Sequence, residues 1–85
     1  MTRQLVAKVW AGVLRVDGIG PDDDFFALGG DSLAATRVTG RLREATGQRV
    51  PVRFLFDRPV LAEFADALER MMLERPATGQ GGEPS

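Results

Sequence analysis

Residues 24–33 read Asp24-Phe25-Phe26-Ala27-Leu28-Gly29-Gly30-Asp31-Ser32-Leu33. Two aromatic residues and a leucine precede a glycine pair; an acid and a serine follow it. Gly29-Gly30 lets the chain turn sharply at little steric cost. Beyond it the apolar residues recur at helical spacing, so Asp31 or Ser32 starts a helix. A serine hydroxyl then stands at the positive end of a helix dipole, beside backbone N–H groups that lack helical partners. A phosphate attached there is favoured by roughly 0.3–1 kcal/mol when exposed. Taken alone, Asp-Ser before an apolar run is also a common helix N-cap, and Gly-Gly is common loop punctuation.

Downstream, the spacing predicts a helix from Ser32 to Thr46, closed by Gly47. Ala34, Ala35, Val38, Leu42 and Ala45 make its inner stripe, and Leu33, Thr36 and Gly40 fall on the outer face. Val50-Pro51-Val52 is extended, because a residue before proline avoids the helical region. Arg53 to Asp57 forms one short helical turn. Pro59 enters a last helix, Val60 to about Arg75, with the stripe Leu61, Phe64, Ala65, Leu68, Met71 and Met72. The remainder, PATGQGGEPS, has the composition of a flexible tail or linker.

Upstream, Asp17 to Asp31 reads as a long loop with four glycines, Pro21, five aspartates and no basic residue. An irregular segment of this length in a compact domain is usually functional. Phe25, Phe26 and Leu28 pin it to the core. Before it, Thr2 to Val16 has helical spacing. Leu5, Val9, Val13 and Val16 share one side with Val6 close by, and Trp10 and Leu14 widen the arc. Thr2 is the expected N-cap, and Asp17-Gly18 with Gly20-Pro21 ends the helix. Phe25, Phe26, Leu28, Leu55, Phe56 and Phe64 are expected core, as is Trp10. No run alternates with period two, so no sheet is expected. The fold class is all-α: a small four-helix bundle of three longer helices and one short one, with a long loop between helices 1 and 2. Residues 1–75 form the domain and 76–85 the tail.

Composition narrows the chemistry. The chain has 85 residues, 44% of them hydrophobic and 27% charged, which suits one small globular domain. It has no cysteine and no histidine, which removes disulfides, thiolate and imidazole metal sites, and the Ser-His-Asp triad. Eleven basic against twelve acidic side chains leave a net charge of -1, which disfavours non-specific nucleic-acid binding. Arginines 37, 41 and 43 on a helix after a turn suggest helix-turn-helix binding of DNA, but the acidic loop at that helix's start would meet phosphates. The apolar runs are far shorter than the ~20 residues of a spanning helix. The basic N-terminus lacks the serines of a transit peptide, so a cytoplasmic location and no membrane partner are expected.

The residues DDDFFALGGDSLAATRVTGRLREATG, followed by VPVRFLFDRPVLAEFADAL, resemble the peptidyl carrier proteins, or thiolation domains, of nonribosomal peptide synthesis, within the acyl-carrier superfamily. The likeness runs from about Leu5 to Leu73. It implies that Ser32, flanked by Gly30, Asp31 and Leu33, receives 4'-phosphopantetheine from coenzyme A through a separate phosphopantetheinyl transferase and magnesium. The thiol of that arm would hold an aminoacyl or peptidyl group as a thioester. A chain without cysteine needs a borrowed thiol, and one without histidine needs the transferase to activate Ser32. The implied partners are the transferase, an adenylation enzyme, and downstream condensation, epimerisation, tailoring or thioesterase enzymes. The chain itself would be a monomeric covalent shuttle and not an enzyme. A helix starting right after Met1 and a short polar tail fit a free-standing carrier, and an excised module would look the same.

The chain departs from that family at two places. Asp31 stands where many relatives have histidine. Pro59-Val60 replaces a frequent Pro-Thr, and losing that cap should cost about 1 kcal/mol unless another group substitutes. Leu33, Thr36 and Gly40 form an outer strip beside Ser32 that reads as partner-contacting, with Arg37, Arg41 and Phe54 as further contacts. Gly40 costs about 1 kcal/mol against alanine within a helix, so its space has a use. Fatty-acyl and many polyketide carriers typically present an acidic second helix, whereas here Arg37, Arg41 and Arg43 face only Glu44. Aminoacyl or peptidyl cargo is therefore favoured. The alternatives are an acyl carrier for polyketide or fatty-acyl groups and an unmodified helical docking module.

Overall fold

Apolar side chains repeating every three to four residues bury themselves by stacking helix on helix. In a computed structural model, which describes residues 2–74, four helices do so: α1 (Thr2–Leu14), α2 (Ser32–Thr46), α3 (Val52–Asp57) and α4 (Leu61–Glu74). The all-α bundle with one short helix and a long α1–α2 loop is as expected. No strand forms among the described residues, and the one β-bridge joins Asp24 to Val60. The expected end of α4 at Arg75 and the tail 76–85 lie outside the described residues.

α1 packs against both α4 and α2, and α3 packs against α2. The core holds Val6, Trp10, Phe25, Ala35, Val38, Leu42, Val50, Leu55, Leu61, Phe64, Ala65 and Leu68. Trp10 meets Phe25 edge-on at 5.1 Å between centroids and Phe64 at 6.1 Å. Its buried indole N–H has no hydrogen-bond partner among the described residues.

Several boundaries and faces differ from the periodicity. α1 begins at Thr2, so Thr2 is its first helical residue and not a cap. It stops at Leu14, leaving Val16 outside. Val6 and Trp10 are its deepest residues, while Leu5, Val9, Val13 and Leu14 are half-buried around them. The stop is not made by Asp17-Gly18. Val16 N–H donates to the Ala11 carbonyl at 3.2 Å and Arg15 takes a left-handed φ of 58°, the pattern of a Schellman end. α3 begins one residue early, at Val52, after extended Pro51. α4 begins at Leu61 rather than Val60.

Two residues assigned to the core lie elsewhere. Ala45 is exposed, and Thr39 is buried beside Val38 in its stead. Phe56 is 45% exposed, its ring stacked flat on Phe26 at 5.2 Å. α3 is so short that it buries Leu55 alone.

The α1–α2 loop is built by its aspartates. Asp23 accepts from Gly20 N–H at 2.7 Å, and Asp24 accepts from Phe26 N–H at 2.8 Å and Ala27 N–H at 3.1 Å. The loop also closes the start of α4. Leu61 N–H donates to Asp23 C=O at 2.9 Å and Ala62 N–H to Pro21 C=O at 2.9 Å. These carbonyls satisfy two orphan donors of the last helix, so Val60 is tolerated where a threonine cap would otherwise serve.

Arg3 on α1 grips Asp66 on α4 with both ends of its fork, at 3.1 and 2.9 Å. Asp66 is held below the usual carboxylate range, chiefly by the Arg3 hydrogen bond. A lowered folded-state pKa contributes stability that is present above the unfolded value, about 3.9, and is lost as pH falls through the folded value. Chemical denaturation of wild type and Asp66→Asn should therefore differ by a constant amount above about pH 5, and the gap should shrink below about pH 4. At Arg15 the left-handed backbone penalises a side chain, so Arg15→Gly should raise the stability measured in urea by about 0.5–1 kcal/mol.

Candidate functional site

The start of α2 is shaped by glycines and an aspartate. Gly29 turns the chain at φ 103°, and Gly29 N–H donates to Phe26 C=O at 3.1 Å. Gly30 N–H donates to Phe25 C=O at 3.0 Å, which folds residues 25–30 into a tight loop. A Cβ on Gly30 would strike the Phe25 ring and stand 2.8 Å from the Phe25 carbonyl. Only glycine fits there, because the backbone lies directly on a buried ring.

Asp31 is the N-cap of α2, with φ −136° and ψ −173°. Its carboxylate accepts from Ala34 N–H at 2.8 Å, and its carbonyl accepts from Ala35 N–H at 2.8 Å. Cap chemistry alone allows either Asp31 or Ser32 in this role. With Asp31 taking it, Ser32 is the first helical residue and is exposed. Its hydroxyl makes no hydrogen bond among the described residues, and its carbonyl accepts from Thr36 Oγ1 at 3.0 Å. The N–H groups of Ser32 and Leu33 precede any possible helical acceptor and find no loop acceptor among the described residues. Ser32 thus presents a free oxygen beside unsatisfied N–H donors, at the end of a helix where a negative group is favoured. Those features fit a phosphodiester on Ser32.

Leu33, 62% exposed, stands next to Ser32, and Thr36, Arg37 and Gly40 are also exposed. A Cβ on Gly40 would meet nothing within 4 Å, so its space is open to solvent. Arg41 is exposed but leans towards α1, where a Cβ on Gly12 would stand 3.4 Å from its Nη1. Phe54 is set apart. Its half-buried ring lies edge-on to Phe64 at 5.5 Å and carries the Arg58 guanidinium at 5.1 Å. It lines a groove with Arg58, Ala67, Arg70, Met71 and Glu74 that shares no residue with the α2 strip. The loop-building roles of Asp23 and Asp24 were missed from sequence, although Asp followed by small or turn-forming neighbours is the signal of such turns. No cluster of three or more potential metal ligands occurs among the described residues. No helix among them is long and apolar enough to cross a membrane.

Residues 4–68 match the family described as "Phosphopantetheine attachment site". The chain belongs to that family. Among curated proteins, one of the linear gramicidin synthase polypeptides of Brevibacillus parabrevis is 51% identical over 67 residues, which is 79% of this chain and 1% of that protein. The carrier domain thus spans a very small share of the synthetases it matches. A solved nonribosomal peptidyl-carrier domain is 42% identical with a TM-score of 0.69, over 76% of this chain and 83% of that one. A peptidyl carrier protein solved in complex with coenzyme A and the phosphopantetheine transferase Sfp is 30% identical with a TM-score of 0.78, over 82% and 91% of the two chains. The family and fold implied by the DFFALGGDSL stretch are borne out, and so is the phosphopantetheine arm that the family carries.

Replacing Gly30 with alanine should force the backbone off the Phe25 ring. Gly30→Ala should cost about 1–3 kcal/mol in denaturant unfolding.

Proposed function

We propose that Ser32 is the attachment residue and that the chain carries aminoacyl or peptidyl groups between enzymes of nonribosomal peptide synthesis. One observation carries the choice of residue: Asp31 takes the helix cap, so the adjacent Ser32 hydroxyl is exposed and uncommitted. In the transfer, Ser32 Oγ bonds to the pantetheine-side phosphorus of coenzyme A. The pyrophosphate bond breaks, 3',5'-ADP leaves, and the hydroxyl proton passes to the transferase. The chain has no histidine near Ser32 or anywhere else, so activation belongs to that partner. Once attached, the arm supplies a thiol that holds cargo as a thioester. Gly29, Gly30 and Asp31 fix the backbone at Ser32, and the N–H groups of Ser32 and Leu33 would be available to the phosphodiester.

The cargo class is supported by charge and by kinship. α2 carries Arg37, Arg41 and Arg43 against Glu44, and the curated relative at 51% identity is part of a peptide synthase. An adenylation enzyme would load the arm, and condensation, epimerisation, tailoring or thioesterase enzymes would unload it. The chain acts as a shuttle and leaves catalysis to these partners. Asp31 bears on the site as the cap, and Leu33 and Thr36 as the surface a partner meets first.

Incubation with coenzyme A, magnesium and a broad-specificity transferase, followed by intact mass measurement, should give one phosphopantetheine adduct in wild type and none in Ser32→Ala. An unchanged mass for folded wild type, or an adduct retained in the variant, would overturn the assignment. Loading of the modified protein by amino-acid adenylation enzymes, and not by malonyl or fatty-acyl transferases, is the result expected for the cargo.

A further inference from the structure

Parts of the fold that are far apart in sequence meet at Phe25. Its buried ring lies edge-on to Trp10 of α1, with 5.1 Å between centroids. Its N–H donates at 2.8 Å to the carbonyl of Pro59, between α3 and α4. Its own carbonyl accepts at 3.0 Å from the N–H of Gly30, two residues before Ser32. The contact with Gly30 is steric as well. A Cβ there would strike Cε2 and Cδ2 of the ring and also meet the Phe25 carbonyl. Phe26 differs: it is half-buried and stacks on the exposed Phe56, towards the surface.

Ser32 needs such a support, because its end of α2 is thinly anchored. Ser32 and Leu33 are exposed, Ala34 is half-buried, and Ala35 is the first residue of α2 to reach the core. The opening N–H groups of a helix have no partners within it, and helix ends fray. A glycine pair is by itself a flexible entry to that end. The ring and carbonyl of Phe25 remove this freedom by seating the Gly30 backbone. Asp31 is extended, so a shift at Gly30 passes along roughly 7 Å of stretched chain to Ser32 instead of being absorbed. Where a nucleophile must meet a cofactor bound to another protein, a misplacement of about 1 Å can cost about a hundredfold in rate.

We propose that Phe25 is a positioning residue for phosphopantetheine transfer, fixing through Gly30 the place at which Ser32 Oγ meets the transferase. The inference rests on the reading of Ser32 as the attachment residue. It adds a residue that acts from inside the core and touches neither coenzyme A nor the transferase.

The test measures kcat and KM for the carrier in phosphopantetheine transfer from coenzyme A by a broad-specificity transferase. The proteins are the full chain, Phe25→Leu, Gly30→Ala, the double variant and Leu68→Ala, all at a temperature where circular dichroism shows them folded. Leu68→Ala opens a cavity in the core at α4 and is the control for lost stability. Phe25→Leu and Gly30→Ala should each lower kcat about tenfold or more, with KM changed less than about twofold. Leu68→Ala should keep both constants. The double variant should lose less than the product of the two single losses, because leucine vacates ring atoms that a methyl at residue 30 would strike. The Ser32 amide resonance should move in Phe25→Leu and stay in place in Leu68→Ala. No adduct on wild type, or one retained in Ser32→Ala, would sink the attachment reading and this proposal with it. A modified wild type with kcat unchanged in Phe25→Leu and Gly30→Ala, or with losses that simply multiply in the double variant, would overturn the positioning role alone. If Phe25→Leu does not fold, kcat of Gly30→Ala against Leu68→Ala decides the matter.

Discussion

Phe25 joins the core to the loop that leads into Ser32. Its ring is fully buried against Trp10 and touches Phe26 edge-on. Its N–H donates to Pro59 C=O at 2.8 Å, and its own carbonyl accepts from Gly30 N–H at 3.0 Å. Burying a phenylalanine contributes about 1.5–3 kcal/mol, which offsets the backbone entropy of about two of the loop's residues. Through this one residue the position of Gly30, and therefore of Asp31 and Ser32, is set by the hydrophobic core. The glycine is the complement of the ring: the loop passes so close to Phe25 that no Cβ fits.

The same loop serves the last helix. Its carbonyls at Pro21 and Asp23 accept the first N–H groups of α4, and the bridge between Asp24 and Val60 fixes the approach. A segment that looks like mere connection is therefore structural at both ends, starting α2 on one side and capping α4 on the other. Two of its aspartates, Asp23 and Asp24, are committed to backbone donors at Gly20, Phe26 and Ala27. Each of those carboxylates is compensated locally by N–H dipoles, which lets like charges gather in one short loop.

Division of labour between neighbours defines the site. Asp31 and Ser32 are both good caps, and only one of them can occupy the extended position before the helix. Because Asp31 does so, Ser32 enters the first turn with an exposed hydroxyl that makes no hydrogen bond among the described residues. The negative charge of Asp31 and the N–H groups of Ser32 and Leu33, which lack acceptors among the described residues, then act on the same small volume with opposite signs. Beyond it the surface turns basic along α2 and into α3. Ser32 thus stands between an acidic loop and an arginine-bearing helix, two different electrostatic edges.

Much of this was legible in the residues. The span of α2 from Ser32 to Thr46, its closure at Gly47, and the inner faces of α2 and α4 around Val38, Leu42, Phe64 and Leu68 follow from the 3.6-residue repeat and cap chemistry. Those are properties of a local stretch of chain. Tertiary structure decided the cases in which local chemistry allows two outcomes. Ala45 is exposed and Phe56 is covered on one face only, by the Phe26 ring, and Val6 with Trp10, rather than the Leu5–Val9–Val13 line, is deepest because α1 is wedged between α2 and α4. Whether Val60 leaves α4 uncapped depended on the carbonyls of Pro21 and Asp23, far away in sequence. Periodicity says that a side is apolar, but burial depends on what is packed against it, and that partner is named only when the chain has folded.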